Sequence, residues 1–244
     1  MPSPTSPRPI DTRFMPGVKG IDLEQALNYI ELDRVGQDFI YNHYTGARLP
    51  YVHGARPEIE ETARRLTAGA PTPRDQVLAI AQFVAEKVAW AGYHQKRTGQ
   101  RLPSDRDLIE EHLIRSGYAW CNEQARVFCV LTQAVGLCSR LVFACNKEKK
   151  YGHVISEVLL PDGWLTVDQS FPVLFEAGGR PVRACDIWHS PAMRARFQPI
   201  YKTACLKLQA DLGPGILKAS FAMAMAADPL DGLKDLGYHN HFLR

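Results

Sequence analysis

Residues 117–128 read Gly117-Tyr118-Ala119-Trp120-Cys121-Asn122-Glu123-Gln124-Ala125-Arg126-Val127-Phe128, and the reading of the chain turns on them. A glycine-marked, aromatic turn runs straight into a cysteine, and a helix-like apolar stretch follows at once. A free cysteine is often only a small buried packing residue. A thiol at a helix N-terminus, by contrast, sits where the helix dipole favours the thiolate. The surrounding pattern has to decide between these readings.

Working outward, residues 121–135 predict one helix that is apolar nearly all round, with Val127, Phe128, Val130, Leu131, Ala134 and Val135. Such a helix belongs in the centre of a fold. Gly136 stands where a C-terminal cap is expected. Residues 140–145, 154–160 and 164–167 then read as strands, with 173–175 as a further one. Upstream the pattern is helical. One helix starts at Asp22, with Leu23, Ala26, Leu27 and Ile30 on one face, and another runs from Pro57 to Leu66. A third runs from Arg74 to Trp90 with Val77, Ile80, Ala81, Val84 and Val88 at helical spacing, and a fourth is capped by Ser104. Residues 39–53 read as irregular. Pro2, Pro4, Pro7, Pro9 and Pro16 make residues 1–20 an extended, flexible arm. From about Asp186 the chain reads as helices and loops, with residues 216–227 as an apolar docking helix.

Composition narrows the function. The chain has 244 residues, 45% hydrophobic and 23% charged, which suits one large domain with extensions. A net charge of +3, with no basic stripe, excludes an argument for nucleic acid. The start lacks the apolar core of a signal peptide, and no run is long enough to span a membrane. Six cysteines without a C-x-x-C pair point to a reduced, cytoplasmic protein rather than a disulfide framework. Cys121, Cys138, Cys145 and His153 fit no closed zinc module, so neither metal nor cofactor is expected. Cys129, Cys138, Cys145, Cys185 and Cys205 read as packing residues. Lys147, Lys149 and Lys150 read as a solvated loop that could favour an acidic substrate.

Two further residues give Cys121 its sharper meaning. His153 heads a strand, and Asp168 ends the next, with Pro161-Asp162-Gly163 between them. Val154, Val158 and Leu160 share a face on the first strand, as Leu165 and Val167 do on the second. His153 and Asp168 then both point to the opposite face, with Ile155, Glu157, Trp164 and Thr166. A two-residue Asp162-Gly163 loop would set Asp168 opposite Glu157, leaving His153 roughly 13 Å away along the strand. Direct contact then requires a wider turn or a bulge. A thiol, an imidazole and a carboxylate suit nucleophilic acyl chemistry: attack, proton relay and orientation of the relay. Glu123, in the first turn, opposes a neighbouring thiolate.

Gly117 to Phe171 resembles the transglutaminase-like superfamily of cysteine acyltransferases and hydrolases. The resemblance rests on four motifs in order. Ala119-Trp120-Cys121 with Ala125 is the first, and Gly136-Leu137-Cys138-Ser139-Arg140 is the second. His153 with Glu157 and Val158 is the third, and Gly163-Trp164 with Val167 and Asp168 is the fourth. The departures are Ala119 for a usual glycine, Ile155 for a common aromatic, and Gln169-Ser170 for a usual proline-hydroxyl pair. The resemblance implies an α+β, papain-like core, in which a central helix carrying Cys121 packs on an antiparallel sheet carrying His153 and Asp168. It implies a catalytic domain at 21–185, with its core at 104–176, and a helical C-terminal extension at 186–244. It also implies acyl-enzyme chemistry on a protein or peptide amide, resolved by water or by an amine acceptor. Arylamine N-acetyltransferases share the Cys–His–Asp order, but their Arg-Gly-Gly before the cysteine is absent here. A binding module that keeps the fold without catalysis is the reading from another class.

Overall fold

The computed structural model describes residues 30–31, 53–103, 106, 108–146, 151–213 and 235–239. The proline-rich arm, most of the expected helix at Asp22, the Ser104 cap, Lys147, Lys149, Lys150 and the 216–227 segment lie outside them.

Helix formation in the first half follows local signals. Helix α1 (Pro57–Thr67) and helix α2 (Pro73–Lys87) each open on proline, whose missing N–H costs nothing at a helix start. Thr72 caps α2 by accepting the Asp75 N–H at 3.1 Å. After α2 come the short strand β2 (Ala89–Trp90), helix α3 (Ala91–Thr98) and helix α4 (Glu110–Ser116). Gly117 ends α4 in the left-handed region, at φ 74°, which only glycine adopts freely. Its carbonyl accepts the Ala89 N–H at 2.9 Å. That turn drops the chain into β3 (Tyr118–Ala119), parallel to β2, and delivers Cys121 to the start of helix α5 (Cys121–Ala134).

Strands β4 (Cys138–Asn146), β5 (Tyr151–Leu160), β6 (Gly163–Asp168) and β7 (Val173–Leu174) follow. An early two-residue strand, β1 (Ile30–Glu31), and a late strand, β10 (Asp235–His239), join them. The sheet is antiparallel throughout, in the order β1-β10-β4-β5-β6-β7. A small hairpin, β8 (Glu176–Ala177) with β9 (Arg180–Pro181), leads to helix α6 (Ala184–His189) and helix α7 (Pro191–Leu212).

Each face of the sheet has its own core. On one face Val154, Val158, Leu160, Leu165 and Val167 pack against α5 and against α1, α2 and α4. On the other, Val142, Ala144, Ile155 and Leu236 pack against α6 and α7 through Ile187, Trp188, Phe197 and Tyr201. The alternation read from the sequence sorts the strand residues onto these two faces.

Four expectations change. The third helix ends at Lys87, and Ala89–Trp90 form strand β2. Ile30 lies in a strand rather than on a helix face, and β10 places a strand where the C-terminal stretch read as helical. Asp235-Leu236-Gly237-Tyr238-His239 has no clear alternation of its own; pairing with β1 and β4 overrides its weak local preference. The fourth helix begins at Glu110, so Leu108 precedes it.

Arg140 and Glu157 form a fully buried ion pair across β4 and β5, with contacts of 2.9 and 2.7 Å. Glu157 also accepts the Ala184 N–H at 2.7 Å, anchoring the start of α6, and the Arg140 guanidinium lies 3.9 Å over the Trp164 ring. Arg140→Leu strands the buried carboxylate and should cost about 3–5 kcal/mol in urea unfolding. Adding Glu157→Leu to it should restore part of the loss.

Candidate active site

Cys121 is the first residue of α5 and is half-buried. Its helix start is fixed by Glu123, whose carboxylate accepts the Trp120 N–H at 2.7 Å. Arg106 meets the same carboxylate through two nitrogens, at 3.0 and 2.5 Å, and donates to the Tyr118 carbonyl at 2.9 Å. The charge of Glu123 is therefore answered by a guanidinium, which offsets the opposition to a neighbouring thiolate.

His153 and Asp168 meet directly, with Nε2 2.7 Å from Oδ2, and both are buried. The register explains how. Leu160 faces Gly163, so the two-residue loop is Pro161-Asp162 rather than Asp162-Gly163. Ser156 faces Val167, which sets Asp168 opposite Ile155, two residues from His153. Diagonal neighbours on one face are within reach of an imidazole and a carboxylate. Neither a wider turn nor a bulge is required.

Cys121 is close enough to the His153 ring to help hold its imidazole protonated. Burial pulls the His153 titration down, but the Asp168 charge and hydrogen bond, then the Cys121 thiol, outweigh it and hold it up at about 10. Cys129 makes the contrast within the same helix. Burial pushes its thiol up to about 12, so it stays protonated and packs in the core.

Residues beyond the expected three tie this cluster together. Gln169 donates to the Val154 carbonyl at 2.9 Å and to the Cys121 carbonyl at 3.5 Å, and accepts from Ser156 at 3.1 Å. The Ser170 N–H binds Asp168 Oδ1 at 2.9 Å, and its hydroxyl donates to Gln124 at 2.7 Å. Gln124 in turn donates to the Val88 carbonyl at 2.7 Å. The Gln169-Ser170 pair, noted above only as a departure from the family pattern, thus links the strand of Asp168 to the helix of Cys121. Two polar residues directly after a strand-ending aspartate were the signal for it. Tyr201 of α7, 1% exposed, donates its phenol hydrogen bond to Asp168 Oδ2. Nothing in its local sequence points to that contact.

The aromatic residues divide. Trp164 is core, under Arg140. Trp90 and Trp120 stand edge-on at 6.1 Å and are half-buried beside the thiol's helix start. The Trp120 indole donates to the Pro103 carbonyl at 2.7 Å. Among the described residues, no group of His, Cys, Asp and Glu is arranged to hold a metal ion, and no helix is long and apolar enough to cross a membrane.

The raised titration of His153 has a consequence for stability. The group binds its proton more tightly folded than unfolded, so its contribution is full below about pH 6.5 and is lost as pH rises through about 10. Chemical denaturation across that window should show stability falling with pH, with a shallower fall in His153→Gln.

Residues 60–169 match the family model of the transglutaminase-like superfamily. No curated protein matches the chain. One similar solved structure is a "putative protease" from Parabacteroides distasonis, 14% identical over 52% of this chain, with a TM-score of 0.33. The match spans 28% of that structure's length. The stretch that matches this family model, residues 60–169, carries Cys121, His153 and Asp168 and ends before α6, α7 and β10.

Proposed function

We propose that this protein is a cysteine-dependent enzyme acting on amide bonds through Cys121, His153 and Asp168. The observation that carries the reading is one imidazole against a carboxylate with a helix-start thiol close by: His153 Nε2 lies 2.7 Å from Asp168 Oδ2, and Cys121 is near enough to raise the His153 titration. In this reading Cys121 attacks the amide carbonyl as a thiolate. His153, already protonated, gives its proton to the departing amine as the C–N bond breaks. Asp168 keeps the ring oriented and stabilises its charged form. The first N–H groups of α5 lie ahead of the helix's own hydrogen-bond ladder and serve as donors to the carbonyl oxygen as it gains charge.

The resulting thioester is released by water or by an amine. Hydrolysis regenerates the thiol and yields a carboxylic acid; aminolysis yields a new amide. The substrate class is a protein or peptide amide, in keeping with the transglutaminase-like match.

Iodoacetamide alkylation of Cys121 followed against pH tests the pairing. The wild type should react rapidly at and below neutral pH, and His153→Ala should slow that reaction by about tenfold or more. A thiol that reacts only above about pH 8 in both proteins, like a free cysteine, would remove the reading. With a peptide amide as substrate, Cys121→Ala should abolish turnover, and Asp168→Asn should lower kcat by about 10²–10⁴-fold. Adding a fluorescent primary amine separates the two fates, because only acyl transfer leaves it covalently attached to the acyl product.

A further inference from the structure

We propose that Tyr201 is a positioning residue for this site: its buried phenol, carried by α7 from outside the transglutaminase-like segment, fixes the Asp168 carboxylate in the orientation that meets His153. The inference rests on the acyl-enzyme reading above and adds to it a residue that acts through another.

Asp168 is fully buried, and three donors meet it. Oδ2 receives His153 Nε2 at 2.7 Å and the Tyr201 hydroxyl, and Oδ1 receives the Ser170 N–H at 2.9 Å. A carboxylate turns readily about its Cβ–Cγ bond, so donors on both oxygens are what hold it in one plane. Ser170 alone would leave the oxygen that faces the imidazole fixed from one side only.

The phenol is itself immobilised. Its ring stands edge-on to Phe171 at 5.5 Å and lies 6.0 Å from Phe175 and 6.5 Å from His153. The far end of α7 is pinned to α3, where Tyr93 donates to Asp211 at 3.0 Å and Lys96 donates to the Asp211 carbonyl. Packing alone does not call for the hydroxyl. Phe175 and Phe197 fill the same core with plain rings, and a buried hydroxyl without a partner destabilises. The hydroxyl has its partner in Asp168.

The titratable groups facing His153 are Cys121 from α5, Asp168 from β6 and Tyr201 from α7. A carboxylate held in place stabilises the imidazolium better than one free to turn. Loss of the phenol hydroxyl should therefore move the His153 titration down, toward its ordinary value.

The test is Tyr201→Phe, which removes one oxygen and keeps the ring, beside Ile200→Ala, its neighbour on the exposed side of the helix. Cys121 alkylation, corrected for the folded fraction by near-ultraviolet circular dichroism, is read against pH, and the His153 imidazole is titrated by ¹⁵N NMR. The expected result is an alkylation rate about tenfold lower at neutral pH in Tyr201→Phe, with the His153 titration shifted down and Ile200→Ala unchanged. A rate per folded molecule and a His153 titration equal to those of the wild type would overturn the proposal, even if stability falls. That outcome is distinct from failure of the acyl-enzyme reading, in which wild type and His153→Ala alkylate alike and the inference falls with it.

Discussion

The buried pair of Arg140 and Glu157 is the constraint on which the remaining arrangement hangs. Two charges taken out of water must be met completely or not at all. Here the guanidinium meets one carboxylate oxygen and covers Trp164, while the other oxygen receives the Ala184 N–H. One interaction therefore locks β4 to β5, braces β6 and sets the start of α6. His153 lies on the face of β5 that Glu157 occupies, and Asp168 on the face of β6 that Trp164 occupies. A one-residue slip of β5 would break the ion pair and carry the imidazole away from the carboxylate at once, and a slip of β6 would turn Asp168 and Trp164 to the opposite face.

This gives physical content to motif positions that carry no chemistry. Arg140, Glu157 and Trp164 hold the register in which His153 and Asp168 meet. The candidate site is built between two cores. Cys121 packs against the layer of α1, α2 and α4, whereas Phe171 and Tyr201 belong to the layer of α6 and α7. Gln169 and Ser170 bridge the two, with bonds to Cys121, Val154, Gln124 and Asp168.

Much of this was legible along the chain, and the reasons differ by element. Helix α5 announced itself by an apolar surface wide enough for a central helix and by Gly136 at its end. The alternation in β5 and β6 carried the parity that puts His153 and Asp168 on one face. The loop residues were harder, since Pro161-Asp162 and Asp162-Gly163 are both acceptable two-residue turns and only side-chain packing selects the first. β10 was not legible, because five residues with no period become a strand only when β4 and β1 offer partners. Tyr201 was not legible either, since a tyrosine in a helix says nothing about a carboxylate 33 positions earlier until the helix is docked.

The place of β10 gives the sheet an unusual dependence on sequence order. β4 contains Leu141-Val142-Phe143-Ala144, an uncharged, strand-prone run, and its outer edge is covered by residues 235–239. During synthesis that edge stands open until almost a hundred further residues have been added. An open apolar edge is a template for pairing with another chain. The late strand therefore covers that edge as well as completing the sheet, and shortening the chain before it would leave the edge open to pairing.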